Sequence, residues 1–435
     1  MKILLMLKDF FQYSPYQGLI TVLVILSLSF TGCAVTKTAQ DEPIPSVYSE
    51  WEQPQTISTG ELKIPVFMIE FADAKYTDTC IDGTELADAV FGEDGEKTLT
   101  SFYDNASYEN LHITGDIYEY TSERIISSYE NEEGFEELAM EVLTAFDDEI
   151  DYTDYDANND QILDAFVLNV PIGGDIDFWY GCQATWYQNE NFTVDGTYPM
   201  YYIMCDAQPE RNDMAYFIAV LTHELGHCMG LPDFYNYYSD DMEAMHGIAG
   251  TEIMDEMDGD FSQFSKLELG WLKESQVQVY RYGKKEHFVL PKATDGGCIL
   301  IYPSGDVSQD GFSREQKEYF LIEYDTAEKN FSDVLDEDTA GVRILHIRSD
   351  ITTDEWGSYY TYNGYSEAYD KSEDGIRIIR LVNDGEPYYQ TGDIVSDDTE
   401  NFEWYENGER RKPGLLIQIG KITKAGIEID ITRVK

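Results

Sequence analysis

Basic residues are scarce in this 435-residue sequence: 29 lysines and arginines stand against 84 aspartates and glutamates, a formal net charge of −55. A field of that sign repels nucleic acid and anionic lipid and favours calcium and basic partners, so a nucleic-acid function is excluded. Histidine and cysteine are rarer still, at 6 each. So few cysteines over such a length imply no disulfide framework. Beyond Cys33 they are Cys80, Cys182, Cys205, Cys228 and Cys298, an odd set that cannot pair completely within one chain. Cys182 and Cys205 lie in one segment and can bridge, whereas Cys228 reads as a small core residue. Residues 19–30 form an apolar run of only 12, too short for a comfortable membrane span. No internal repeat of fixed period occurs. Against these absences, 43% hydrophobic and 14% aromatic residues suffice for a packed core and exclude global disorder.

The N-terminus reads as a targeting signal: Lys2 and Lys8, the apolar run, then Phe30-Thr31-Gly32-Cys33. Small residues before a cysteine just past an apolar stretch resemble a bacterial lipoprotein cleavage box. That resemblance implies removal of residues 1–32 and acylation of Cys33, which places the chain on the cell surface or the extracytoplasmic membrane face. Residues 34–58 are rich in Thr, Pro, Ser and Glu without periodicity and are expected to form a flexible tether.

The chain is organised around His223-Glu224-x-x-His227, followed by Gly230 and Asp233. On a helix, positions four apart stack on one face, so His223 and His227 can hold one ion together. Glu224 lies one residue further round, within reach of a water on that ion. Gly230 lets the helix stop and the chain turn back, and Asp233 can then supply a third ligand. Glu243 and His246 are close in sequence and stay open as alternatives. Three protein ligands with one open position are the catalytic arrangement of zinc, with Glu224 as general base. Ile253-Met254-Asp255 is either a methionine turn beneath the ion or ordinary core.

Elsewhere, residues 64–71 form a continuous apolar run suited to a buried strand, and 111–118 alternate as a half-buried strand does. Phe135, Leu138, Ala139, Val142 and Phe146 mark an amphipathic helix. Asp156, Asn158, Asp160, Ile162 (through its carbonyl) and Asp164 follow the ligand rhythm of an EF-hand-type calcium loop. Gln161 stands there in the glycine position, and no closing Glu follows. Residues 175–212 read as a loop-like cleft wall. Past residue 275 short alternating runs suggest an all-β module of about seven or eight strands. His112, His287 and His346 read as structural.

HELGHCMGLPDFY followed by IMDEMDGDFSQFSKLELGWL resembles the immune inhibitor A family of bacterial zinc metallopeptidases. SYENLHITG at residues 107–115, with Glu109 in a glycine position, and EYFLIEYD and GVRILHI downstream add looser likeness. The resemblance implies zinc on His223, His227 and Asp233, Glu224 as general base, and often bound calcium. The expected fold class is α+β, with a zincin-like metallopeptidase catalytic domain over residues 59–275. A β-rich, sandwich-like C-terminal domain over 276–435 is expected to follow. The expected function is an exported, membrane-anchored zinc endopeptidase acting on protein or peptide substrates, as a monomer. A calcium-dependent surface binding lipoprotein with an inactive peptidase fold is the alternative, and a zinc amidase or glycan-directed hydrolase a third.

Overall fold

Most of the apolar run at residues 64–71 becomes an interior strand of a sheet. The computed structural model describes residues 43–434 except 52, 54, 78–79, 93–96, 130–131, 172–181, 186–190, 206–213, 236–246, 249, 304–310, 337, 355–356, 364–376, 384–386 and 407–408. Cys33 and the leader lie outside the described residues. The first sheet comprises β1 (Gly60–Glu70), β2 (Leu111–Thr121), β3 (Phe166–Asn169), β4 (Cys182–Thr185) and β5 (Tyr201–Cys205), in the order β2-β1-β3-β5-β4. All neighbours are parallel except β4, which runs antiparallel to β5 at the edge.

Both faces of β1 are covered, which is why its sequence does not alternate. Ile64, Val66 and Met68 enter one core and Phe67, Ile69 and Phe71 another. The first core takes side chains from α1 (Gly83–Phe91), α2 (Leu99–Ala106) and, after α3 (Glu132–Ala145), from α4 (Met214–Cys228). The second core takes Phe135, Leu138 and Val142 of α3. Two short helices follow, α5 (Ile253–Glu256) and α6 (Gln263–Glu268). Among the described residues the architecture is mixed α/β, with several sheets and few helices.

Three details depart from the sequence reading. Of the span 175–212, the described residues include strands β4 and β5, four and five residues long and too short to show a period, β5 being buried throughout. Cys182 lies opposite Met204 in the strand pair, and no disulfide joins it to Cys205. The tether expected to reach residue 58 gives way, from residue 43 on, to a docked segment. Ile44, Val47 and Tyr48 are buried there, Ile44 N–H donates to Leu272 O (2.7 Å) and Thr56 N–H to Cys228 O (3.0 Å).

The strands past residue 275 are β6 (Val277–Val279), β7 (Lys285–Leu290), β8 (Cys298–Ile301), β9 (Glu318–Asp325) and β10 (Gly341–Arg348). After them come β11 (Ile351–Asp354), β12 (Gly357–Tyr360), β13 (Ile379–Leu381), β14 (Ile394–Val395), β15 (Trp404–Glu406), β16 (Glu409–Arg411), β17 (Leu415–Thr423) and β18 (Gly426–Arg433). One sheet has the order β13-β10-β9-β8-β6 and a second β14-β17-β18-β7, while β11–β12 and β15–β16 are separate hairpins. Phe320 and Ile322 from the first sheet and Ile417, Ile429 and Ile431 from the second fill one cluster, as in a sandwich. The other face of the first sheet does not meet solvent. Leu321, Leu345 and Ile347 join the core that holds α4. The β-rich part and the helix with the histidines therefore share buried surface.

Candidate metal centre

Helix α4 is buried along most of its length, including Thr222 to Gly226 and Cys228. Its end is fixed by local chemistry. Leu231 N–H reaches back to Gly226 O (3.1 Å) and Gly230 N–H to His227 O (2.8 Å), a closing pair made possible by Gly230 at φ +105°. Phe234 N–H then donates to Met254 O (2.9 Å), and this pins the residue after Asp233 onto α5.

The result is convergence. His223 Nε2 lies 3.0 Å from Asp233 Oδ1, His227 Nε2 lies 3.3 Å from the same oxygen, and the two Nε2 atoms are 3.1 Å apart. Among the described residues these three form the group of His, Cys, Asp or Glu ligand atoms lying within 4.8 Å of one another. Each ring is oriented from behind: His223 Nδ1 contacts Ile253 O (2.8 Å) and His227 Nδ1 contacts Leu231 O (2.7 Å). A carbonyl only accepts, so each Nδ1 donates to it and each ring turns its Nε2 inward.

Two lone pairs and a carboxylate oxygen at such separations repel one another unless a cation or a proton lies between them. Burial opposes a charge on His227, but the Asp233 carboxylate outweighs it and pushes the imidazole up to about 9. Burial likewise acts against the Asp233 charge, yet His227 and His223 hold its carboxyl far below the usual range. Ligands held tetrahedrally at zinc distances stand roughly 3.3 Å from one another, so the donor set fits such an ion in spacing and in kind.

Glu224 is 5% exposed. Burial raises its carboxyl above the ordinary range, against the lowering influence of His227, His223 and a backbone hydrogen bond from Gln183 on the edge strand β4. Beneath the helix, Met254 is fully buried and its sulfur packs against Gly226. Glu243 and His246, the alternative third ligands, lie outside the described residues.

The 156–164 loop turns its carboxylates onto its own backbone N–H groups, and among the described residues they do not gather as the three ligands above do. Asp156 Oδ1 accepts from Asp160 N–H (3.0 Å), Asp156 Oδ2 from Gln161 N–H (2.9 Å), and Asp160 Oδ1 from Ile162 N–H (2.9 Å). Asn158 Oδ1 also accepts from Asp160 N–H (3.1 Å). Asn159 and Gln161 adopt φ +60° and +71°, so the loop makes its left-handed turn without glycine. Burial raises the Asp164 carboxyl to about 6. The other described histidines pair with carboxylates: His112 with Asp104 (2.9 Å), His287 with Asp430 (2.9 Å) and His346 with Glu318 (3.0 Å).

Sequence reasoning missed what orients the site. The carbonyls of Ile253 and Leu231 leave no side-chain signal, and nothing in the sequence marks Glu252, which caps α5 by accepting from Met254 N–H (2.6 Å).

No family model matches the sequence and no curated protein matches it, so the likeness to the immune inhibitor A family rests on the motif residues alone. Among solved structures, the chain is similar to catalytically inactive OgpA from Akkermansia muciniphila, in a crystal structure with an O-glycopeptide (glycodrosocin) substrate. The identity is 15%, the match covers 73% of this chain and 76% of that one, and the TM-score is 0.27. A likeness that slight does not speak for the activity of this chain.

Proposed function

We propose that the chain is a zinc-dependent endopeptidase of zincin-like fold that hydrolyses protein or peptide substrates. The observation that carries this reading is the inward convergence of His223 Nε2, His227 Nε2 and Asp233 Oδ1 at 3.0 to 3.3 Å, with both rings locked by carbonyls behind them. His223, His227 and Asp233 would hold the ion. When bound it supplies Lewis acidity, which polarises a scissile carbonyl and acidifies water at the site.

The chain's own residues do the rest. Glu224 takes the proton of the attacking water and returns it to the departing amine, work that its raised carboxyl pKa suits. Among the described residues β4, which reaches Glu224 through Gln183, is the edge of its sheet, and an extended peptide aligned along it would add as a further strand. Calcium on Asp156, Asn158, Asp160, Ile162 and Asp164, anchorage through acylated Cys33, an extracytoplasmic location and a monomeric state belong to the same proposal. Among the described residues no helix is long and apolar enough to cross a membrane.

The test is cleavage of casein by the purified chain, with and without a zinc chelator, beside Glu224→Gln. Hydrolysis that resists the chelator, or that survives unchanged in the variant, ends the proposal.

A further inference from the structure

Arg343 on β10 is fully buried and sits directly across the strand pair from Glu323 on β9. Its Nε donates to Glu323 Oε1 (2.7 Å), and its Nη2 lies 3.1 Å from Asp325 Oδ2. Its Nη1 donates to Thr251 O (2.8 Å) and to Thr251 Oγ1 (2.5 Å), outside the sheet. Glu323 uses its other oxygen to accept from Gln263 N–H (2.7 Å), the first residue of α6. One guanidinium therefore fixes the start of the 251–256 turn, and its carboxylate partner fixes the helix that follows.

That turn leads straight to a histidine. Next to Thr251, the buried Glu252 accepts from Met254 N–H (2.6 Å), Ser262 N–H (3.1 Å) and Ser265 Oγ (2.6 Å), which ties both ends of the turn together. Between Glu252 and Met254 stands Ile253, whose carbonyl accepts from His223 Nδ1 (2.8 Å). Given the metal-centre reading above, we propose that Arg343 is a positioning residue for His223, acting through Thr251 and the turn that carries the Ile253 carbonyl.

A buried ion pair is a poor source of net stability, because apolar residues of similar volume do as well or better. What apolar residues cannot do is grip one backbone carbonyl while anchoring a second element. Lysine keeps the charge but not the fork: a single ammonium cannot span Glu323 and both Thr251 acceptors.

The test loads the full chain with cobalt(II) and reads its visible absorption and affinity, in wild type, Arg343→Lys and Thr251→Val. Groups that orient metal ligands typically change affinity 10- to 100-fold when altered. Arg343→Lys is expected to bind cobalt(II) about tenfold more weakly, with a shifted absorption band, while its far-ultraviolet circular dichroism in chelator stays that of wild type. Thr251→Val, which removes the hydroxyl that accepts from Arg343 and donates to Ile248 O (2.8 Å) but leaves the Thr251 carbonyl, is expected to shift the band in the same direction by less. Wild-type spectrum and affinity in a folded Arg343→Lys overturn the proposal. If that variant does not fold, the same result in Thr251→Val overturns it. A wild-type chain that takes up no cobalt(II) fails the metal centre itself, and the role of Arg343 with it.

Discussion

Met254 occupies the place where a side chain at position 226 would begin: a β-carbon on Gly226 would fall 2.8 Å from the Met254 sulfur and 3.5 Å from the Phe261 ring. The helix between the two histidines thus rests on the methionine with nothing intervening. Replacing a mid-helix glycine by alanine ordinarily gains about 1 kcal/mol. Here the gain meets overpacking of a fully buried contact, at about 1–3 kcal/mol. Gly226→Ala is therefore expected to lower stability to urea by about 1 kcal/mol. Met254→Ala in the same chain should relieve the overpacking term, a coupling that a double-mutant cycle measures. A variant stabler than wild type by the full helix gain would show that the contact is absent.

Ligand and base separate by different readouts. Asp233→Asn leaves a neutral amide where the two Nε2 atoms need a negative oxygen 3.0 and 3.3 Å away. Elemental analysis is expected to fall from one zinc per chain to well below it. Glu224→Gln keeps all three ligand atoms and should keep the metal, while hydrolysis falls about 10²- to 10⁴-fold. Equal metal content in wild type and Asp233→Asn would assign the third ligand elsewhere.

What the sequence could reveal was whatever recurs at a fixed spacing. The two histidines, the glycine and the aspartate are local, joined by one helix and one turn, and they do converge. The strands at 277–279, 298–301, 318–325, 341–348, 379–381, 415–423 and 426–433 were legible from β-branched runs. Other elements were hidden for physical reasons. β7 alternates exposed and half-buried residues, with Leu290 buried in the sandwich interior and Phe288 packed against it. Glu323 and Arg343 sit in apolar strands because the face they occupy looks onto the 251–265 turn, a long-range fact that no window of sequence contains. Glu109 adopts φ +62°, a left-handed backbone that its residue type does not signal.

Residues 43–58 should behave as part of the folded body. Tyr48 is 4% exposed, a β-carbon on Gly230 would lie 2.6 Å from its ring, and its hydroxyl pairs with Tyr360 Oη at 3.1 Å. Tyr48→Ala is expected to lower stability by about 3–5 kcal/mol. Tyr48→Phe, which loses only the hydrogen bond, should lower it by about 1 kcal/mol. Limited proteolysis gives an independent check, since rapid cutting at residues 44–51 in the wild type would contradict docking of the segment.

Asp164 gives the fold a pH dependence with a sign that calcium should reverse. Its carboxyl is 4% exposed and rises from 3.8 to about 6, with burial as the main cause and Asp160 and Asp156 adding to it. Between those two values the folded chain binds more protons at this position than the unfolded chain does. Stability from this group is therefore fully present below about 4 and declines as pH rises through about 6. The decline is on the order of 2–3 kcal/mol. Asp164→Asn keeps an acceptor for Ala157 N–H, now 2.7 Å from Oδ2, and carries no charge to desolvate. The difference in stability between wild type and Asp164→Asn should thus grow in favour of the variant from pH 4 to pH 7 in chelator. Calcium selects the ionised carboxylate, so millimolar calcium should shrink or invert that difference at pH 7 by stabilising the wild type alone. Thermal melts of both proteins at pH 4.5, 6 and 7.5, with and without calcium, decide the matter. A difference that is independent of pH removes the burial argument, and one that ignores calcium removes the ion from this loop.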